Sequence, residues 1–299
     1  MYKQIASNKR RSILLLTLFI IIILLLGWLL GEVTGYGYSG LALAIFISLF
    51  MSLLSYFKGD KIALWTAGAK PLKHDENPYV YHLVENLCIT AGLPVPKIYI
   101  IPDSGLNAFA TGRDPQHASI ALTAGIVEKL AREELEGVIA HELSHIKNYD
   151  IRFMTLIVVC IGIVVLLSNW LLRSFIWRSR GRQQNNRGSG SFGLILLIAG
   201  IILAILSPLI AQLIQLAISR KREFLADASG VLLTRYPDGL SRALEKIASY
   251  EQPLLRANGA TAHLYIANPF GKSKNFFSRL FSTHPPIEER IKALRNMIK

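Results

Sequence analysis

The pentapeptide His141-Glu142-Leu143-Ser144-His145 combines the residue types and the spacing that zinc-dependent hydrolysis needs. On a helix, positions four apart lie about 40° from one another around the axis, so both imidazoles reach one ion. Glu142 then projects beside them, toward a metal-bound water whose proton it can take. The competing reading is a pair of histidines on a solvated helix face. A catalytic zinc also needs a third protein ligand and an open position. Asp150 lies about 140° further round a continued helix than His145, so it is expected to point away from the ion and to end the helix. A better candidate comes much later, where Glu223 and Asp227 are four residues apart and share a helix face. Glu223 is placed to bind metal and Asp227 to orient a histidine, the alternative for this pair being a solvated salt-bridge face. No Gly-x-Ser-x-Gly elbow competes for a serine-type mechanism.

The chain around these residues is unusually apolar. It has 299 residues, of which 52% are hydrophobic, and a mean hydropathy of +0.37, too greasy for an ordinary soluble domain. Four apolar stretches account for the excess: 13–30, 40–57, 153–172 and 192–218. Each approaches or exceeds the length needed to cross roughly 30 Å of hydrocarbon, the alternative being a buried helix of a soluble core. The first follows Lys3, Lys9, Arg10 and Arg11 but outruns a signal h-region and ends without a small-x-small site, so it reads as an uncleaved anchor. Those cations favour a cytoplasmic N-terminus, and Lys58 and Lys61 bring the chain back to the same side.

This divides the chain into an N-terminal membrane hairpin (1–57), a first catalytic part (58–150), a second apolar pair (151–218) and a second catalytic part (219–299). The link between the later two stretches carries Arg173, Arg178, Arg180, Arg182 and Arg187 with no acid. It conflicts with two full crossings: either the pair crosses despite the charge, or it forms a hairpin that dips into the membrane or packs on the soluble part. Cys88 and Cys160 are too few for a disulfide framework and fit a reducing compartment. The net charge of +13 sits beside the apolar stretches, which points to anionic lipid headgroups and away from nucleic acid.

In the soluble parts, Val80, Leu83, Val84 and Leu87 predict an amphipathic helix over 77–90 that covers a small sheet. Short β-rich runs at 97–101, 108–111 and 119–122 predict three strands. Thr123 is placed to cap a short helix ending near Leu130, and 132–149 is helical by period. Charged residues flank the pentapeptide, so its helix lies at the membrane surface and not within the bilayer.

In these features the chain resembles the HtpX group of membrane zinc endopeptidases, relatives of the CAAX prenyl endopeptidases. The likeness rests on Asn107-Ala108-Phe109-Ala110, on 141–145 with Asn148 and Asp150, on Glu223 with Asp227, and on His284-Pro285-Pro286-Ile287-Glu288-Glu289-Arg290. It extends over essentially the whole chain. The resemblance implies a mainly α, multi-pass protein of the bacterial inner membrane, with a gluzincin-like catalytic domain containing a small β-sheet and facing the cytoplasm. It implies one Zn2+ per chain held by His141, His145 and Glu223, and places His284 and Arg290 near the site. Cleavage of damaged membrane proteins, and of the chain itself, is the activity it suggests. His284 or Arg290 either assists the oxyanion or holds the C-terminal helix, and Asn107 either contacts substrate backbone from a strand edge or stabilises a turn. A four-span transporter is the rival class, disfavoured because the spans hold almost no ionisable groups; a catalytically inactive membrane adaptor is another.

Overall fold

The computed structural model describes residues 2–34, 38–160, 162, 220–250, 252–257, 261–270 and 285–297. The stretch 192–218, most of 153–172, the arginine-rich link and His284 lie outside the described residues. What is described is mainly helical with a small mixed sheet. Two long helices, α1 (Tyr2–Thr34) and α2 (Tyr38–Thr66), form an antiparallel hairpin. Among the described residues no helix is both long and apolar enough to cross a membrane; the side chains of residues 2–4, 26, 27 and 29–34 on α1 and of 40, 41 and 44 on α2 are not among them.

After α2 come β1 (Lys70–Pro71), α3 (Pro78–Ala91), β2 (Lys97–Ile101), β3 (Ala108–Gly112), β4 (Ala118–Thr123), α4 (Ala124–Lys129) and α5 (Arg132–Lys147). The later part adds α6 (Arg220–Thr234), α7 (Pro237–Ser249) and α8 (Ile287–Asn296). α3 starts where Asn77 accepts from the Val80 N–H and Pro78 supplies a preset φ, and it stops at Gly92 with φ 66. The Thr123 side chain caps α4 by accepting from Ile126 N–H, as its position predicts.

The three predicted strands all form, and the sheet gains the short β1, giving the order β1-β2-β4-β3. β2 and β4 run parallel, and β3 and β1 are antiparallel to their neighbours. Alternation along the strands divides the core in two. Ala108, Ala110, Ile120 and Leu122 pack with α3, α5 and α7. Phe109 and Ala121 face the other way, onto Ala63, Leu64 and Ala67 at the end of α2 and onto Phe153, Ile157 and Val158. α2 therefore runs unbroken past residue 58 into the domain that holds the metal motif. Residues 150–160 are helical and buried against the sheet.

Close helix crossings bring the distant parts of the chain to α5. A Cβ on Gly137 would lie 2.8 Å from the backbone of Leu240 in α7, and one on Gly230 would lie 3.1 Å from the His141 nitrogen. Hydrogen at these two positions lets α7 and α6 lie directly on α5, and α6 brings Glu223 and Asp227 with it.

Candidate metal centre

His141, Glu142 and His145 sit in the middle of α5, and the apolar residues of that helix, Leu135, Val138, Ile139 and Ile146, anchor it in the core. Glu223 opens the first turn of α6 and meets them from the opposite side. Nε2 of His141 and Nε2 of His145 are 3.1 Å apart. The Glu223 carboxylate places one oxygen 3.7 Å from the first and the other 3.7 Å from the second. Four ligands arranged tetrahedrally about zinc at about 2.0–2.1 Å stand about 3.4 Å from one another, so these separations suit a single ion. Among the described residues this is the one cluster of three metal-type ligands.

The chemistry of the donors agrees with the distances. His141 Nδ1 faces Asp227 Oδ1 at 2.9 Å, and His145 Nδ1 faces Asp150 Oδ2 at 3.0 Å. Arg290 Nη2 lies 3.4 Å from the same nitrogen of His141, but the shorter contact to Asp227 assigns the Nδ1 proton to that carboxylate. Once both imidazoles are neutral, their Nε2 lone pairs face each other and a carboxylate, a set of three ligands suited to a cation between them.

Every group here is enclosed: His141, Glu142 and Glu223 are each 1% exposed. Burial, together with Arg290, lowers the His141 pKa to about 4, which keeps this imidazole neutral as a ligand must be. Burial alone would lower His145 too, but the Asp150 bond and the charges of Glu223 and Glu142 raise it to about 9, a measure of how negative this side of the pocket is. Burial, reinforced by Glu223, pushes the Glu142 carboxyl up to about 7, although His145 and a hydrogen bond from the Ala110 backbone oppose it.

Asp227 and Arg290 form the support behind His141. Arg290 donates Nε to Asp227 Oδ2 at 2.9 Å and Nη2 to Oδ1 at 2.6 Å, and its Nη1 donates to the Ile266 carbonyl at 2.9 Å. Burial would raise the Asp227 pKa, yet the guanidinium and the His141 contact hold it down at about 2. Arg290 thus stands behind His141, with its closest contacts to the carboxylate that holds this ligand histidine and its Nη1 also 3.9 Å from Glu223 Oε2.

Asn107 is buried and sits at the head of β3, where its Nδ2 donates to the Ala267 carbonyl at 3.0 Å and its Oδ1 accepts from Ala108 N–H at 3.1 Å. The Nδ2 contact ties the head of β3 to a segment 160 positions later in the chain. Asp150 lies outside the cluster of three ligands, and its contact behind His145 is one the sequence reading did not include. The sequence reading pointed it away from the ion because it assumed an unbroken helix, whereas α5 ends at Lys147 and Tyr149 adopts φ 59. That left-handed turn swings Asp150 back onto His145. Tyr149 is not a glycine, so no turn signal marks it.

A family model described as peptidase family M48 matches residues 74–298. A protease HtpX homolog of Dictyoglomus turgidum is 46% identical over 296 residues, covering 99% of this chain and 94% of that relative. Another, from Thermoanaerobacter pseudethanolicus, is 45% identical over 301 residues, 99% and 98% of the two chains. The crystal structure of S. mikatae Ste24p superposes with a TM-score of 0.51 at 18% identity, over 98% of this chain and 67% of that one, a likeness of fold. The buried His-Glu-x-x-His helix, the carboxylate facing it from α6, the family match and the full-length relatives agree: the chain is a metalloprotease belonging to peptidase family M48.

Proposed function

We propose that the chain is a zinc endopeptidase of the bacterial inner membrane that faces the cytoplasm and hydrolyses damaged or misassembled membrane proteins, itself included. The observation that carries this reading is the convergence of His141, His145 and Glu223 within 4.8 Å, with Glu142 equally buried between the two histidines in sequence. When bound, zinc supplies Lewis acidity to the scissile carbonyl and lowers the pKa of an adjacent water toward neutrality. Glu142 takes the proton of the attacking water and returns it to the leaving amine, a task for which a carboxyl raised toward neutral pH is suited. Asp227 and Asp150 keep the imidazoles turned with Nε2 inward, and no bond to the protein forms during hydrolysis.

The membrane address is supported by the outer faces of the helical hairpin. Ile13, Leu14, Ile21, Leu25 and Trp28 on α1, and Phe46, Leu49, Phe50, Leu53 and Phe57 on α2, are exposed. Large apolar side chains exposed along both helices are at home against lipid.

The reading is tested with Glu142→Gln in the full-length protein, purified in detergent. The variant is expected to bind one zinc and to lose cleavage of an unfolded membrane-protein substrate. Cleavage retained at the unsubstituted rate would overturn the mechanism.

A further inference from the structure

Asn8 lies near the start of α1, five residues before the apolar stretch, and is 2% exposed. Its side chain does not face lipid or solvent. Nδ2 donates to Asp150 Oδ1 at 2.7 Å and to the Asn148 carbonyl at 2.9 Å. Oδ1 accepts from Arg222 Nη1 at 3.1 Å, and that nitrogen also reaches Asp150 Oδ1 at 3.2 Å. Both amide hydrogens and the amide oxygen are thus engaged, and rotating the amide by half a turn would set its oxygen against two acceptors. The orientation of this side chain is therefore fixed by its partners.

Three parts of the chain meet at that amide: α1, the segment just after α5, and α6. Asp150 divides its two oxygens between them, Oδ2 to His145 and Oδ1 to Asn8 and Arg222. Asn8 also holds the Asn148 carbonyl, so it pins both ends of the left-handed turn at Tyr149 that returns Asp150 to the histidine.

We propose that Asn8 is a positioning residue of the metal centre: it fixes Asp150, and through Asp150 the imidazole of His145, so the N-terminal helix forms part of the site as well as anchoring it. This rests on the metallopeptidase reading above and extends it to residue 8. Without the amide, Asp150 Oδ1 loses its shorter contact and is left with the longer one from Arg222, and the turn at 148–150 loses its brace. The His145 ring then has more freedom, and zinc binding weakens. Partners behind metal ligands are commonly worth 10–100-fold in affinity, and Asn8 acts one residue further out, so about a ten-fold loss is expected.

The experiment uses the full-length protein in detergent and measures the zinc dissociation constant by competition with a fluorescent chelator, alongside the thermal midpoint and cleavage rate. Asn8→Leu, of similar size but without hydrogen-bonding groups, is expected to weaken zinc binding about ten-fold. Phe19→Ala, which removes buried packing from the same helix, is expected to lower the thermal midpoint and leave zinc affinity within two-fold. If Asn8→Leu does not fold, Asn8→Ser takes its place with the same expected direction. A change of two-fold or less in the Asn8 variant, or an equal loss of affinity in Phe19→Ala, would overturn the proposal while leaving the metallopeptidase reading intact. Failure of the unsubstituted protein to bind zinc would overturn both.

Discussion

Asp150 Oδ2 stands 3.0 Å from Nδ1 of His145, and the contact exists because α5 ends two residues before a left-handed tyrosine. On the other imidazole, Asp227 occupies the equivalent place behind Nδ1 of His141 at 2.9 Å. The two carboxylates arrive from different directions, one just past the end of α5 and one from α6. Each fixes a tautomer, and together they turn both Nε2 atoms toward Glu223.

Asp150→Asn should weaken zinc binding by about 10–100-fold while the protein stays folded. An asparagine retains the shape but offers the His145 N–H a neutral acceptor, or none if its amide nitrogen faces the ring. Competition with a chelating dye measures the change. Unaltered affinity would show that this carboxylate does not orient the histidine.

Asp227→Asn should cost more in stability than Asp150→Asn, because it strips the charged partner from Arg290, which is 1% exposed. Breaking a buried ion pair from one side costs about 3–5 kcal/mol. The double variant Asp227→Asn with Arg290→Met should recover part of that loss, since the buried guanidinium that lost its nearest carboxylate is gone, while Glu223 gives up only its 3.9 Å contact with Arg290. Thermal or denaturant unfolding in detergent compares the three proteins, and a double variant less stable than Asp227→Asn would contradict the argument.

Chelation should abolish cleavage and lower the unfolding midpoint, and zinc should restore both. Binding to the folded state alone stabilises it by about 2.7 kcal/mol when free zinc is 100 times the dissociation constant. The shift should vanish in His141→Ala, where a ligand is missing.

Cys88 is fully buried on the inner face of α3, and burial, with a contribution from Glu85, pushes its thiol up to about 12. The thiolate is the reactive form, so at pH 8 roughly one molecule in ten thousand would be ionised at that site. In a Cys160→Ser background, iodoacetamide should leave Cys88 unmodified at pH 8 and label it rapidly in denaturant, where the pKa returns to about 8.5. The folded protein should become reactive only as the pH rises toward the elevated value. Rapid labelling at pH 8 without unfolding would mean that the face of α3 carrying Cys88 opens readily.

Local spacing was enough wherever the chemistry is confined to one helix. His141, Glu142 and His145 share a face because the helical period puts residues four apart side by side, and the same period pairs Glu223 with Asp227. The three main strands and the cap at Thr123 were legible for the same reason, since β-branched runs and side-chain capping act over a few residues. The helix face of α7 that lies on α5 carries Leu240, Ala243 and Leu244, a periodicity that would have marked it. What required the tertiary structure is every contact whose partner lies far along the chain or beyond a break in a helix. Asp150 reaches His145 Nδ1 only because the period stops at Lys147, so an angle drawn on a continuous helix did not reveal that contact. Asn8 meets Asp150 across 142 positions, and Arg290 meets Asp227 across 63. No periodicity connects such residues: they are brought together by the close crossings of α6 and α7 on α5 at Gly230 and Gly137, and by the packing of the helical hairpin on the sheet.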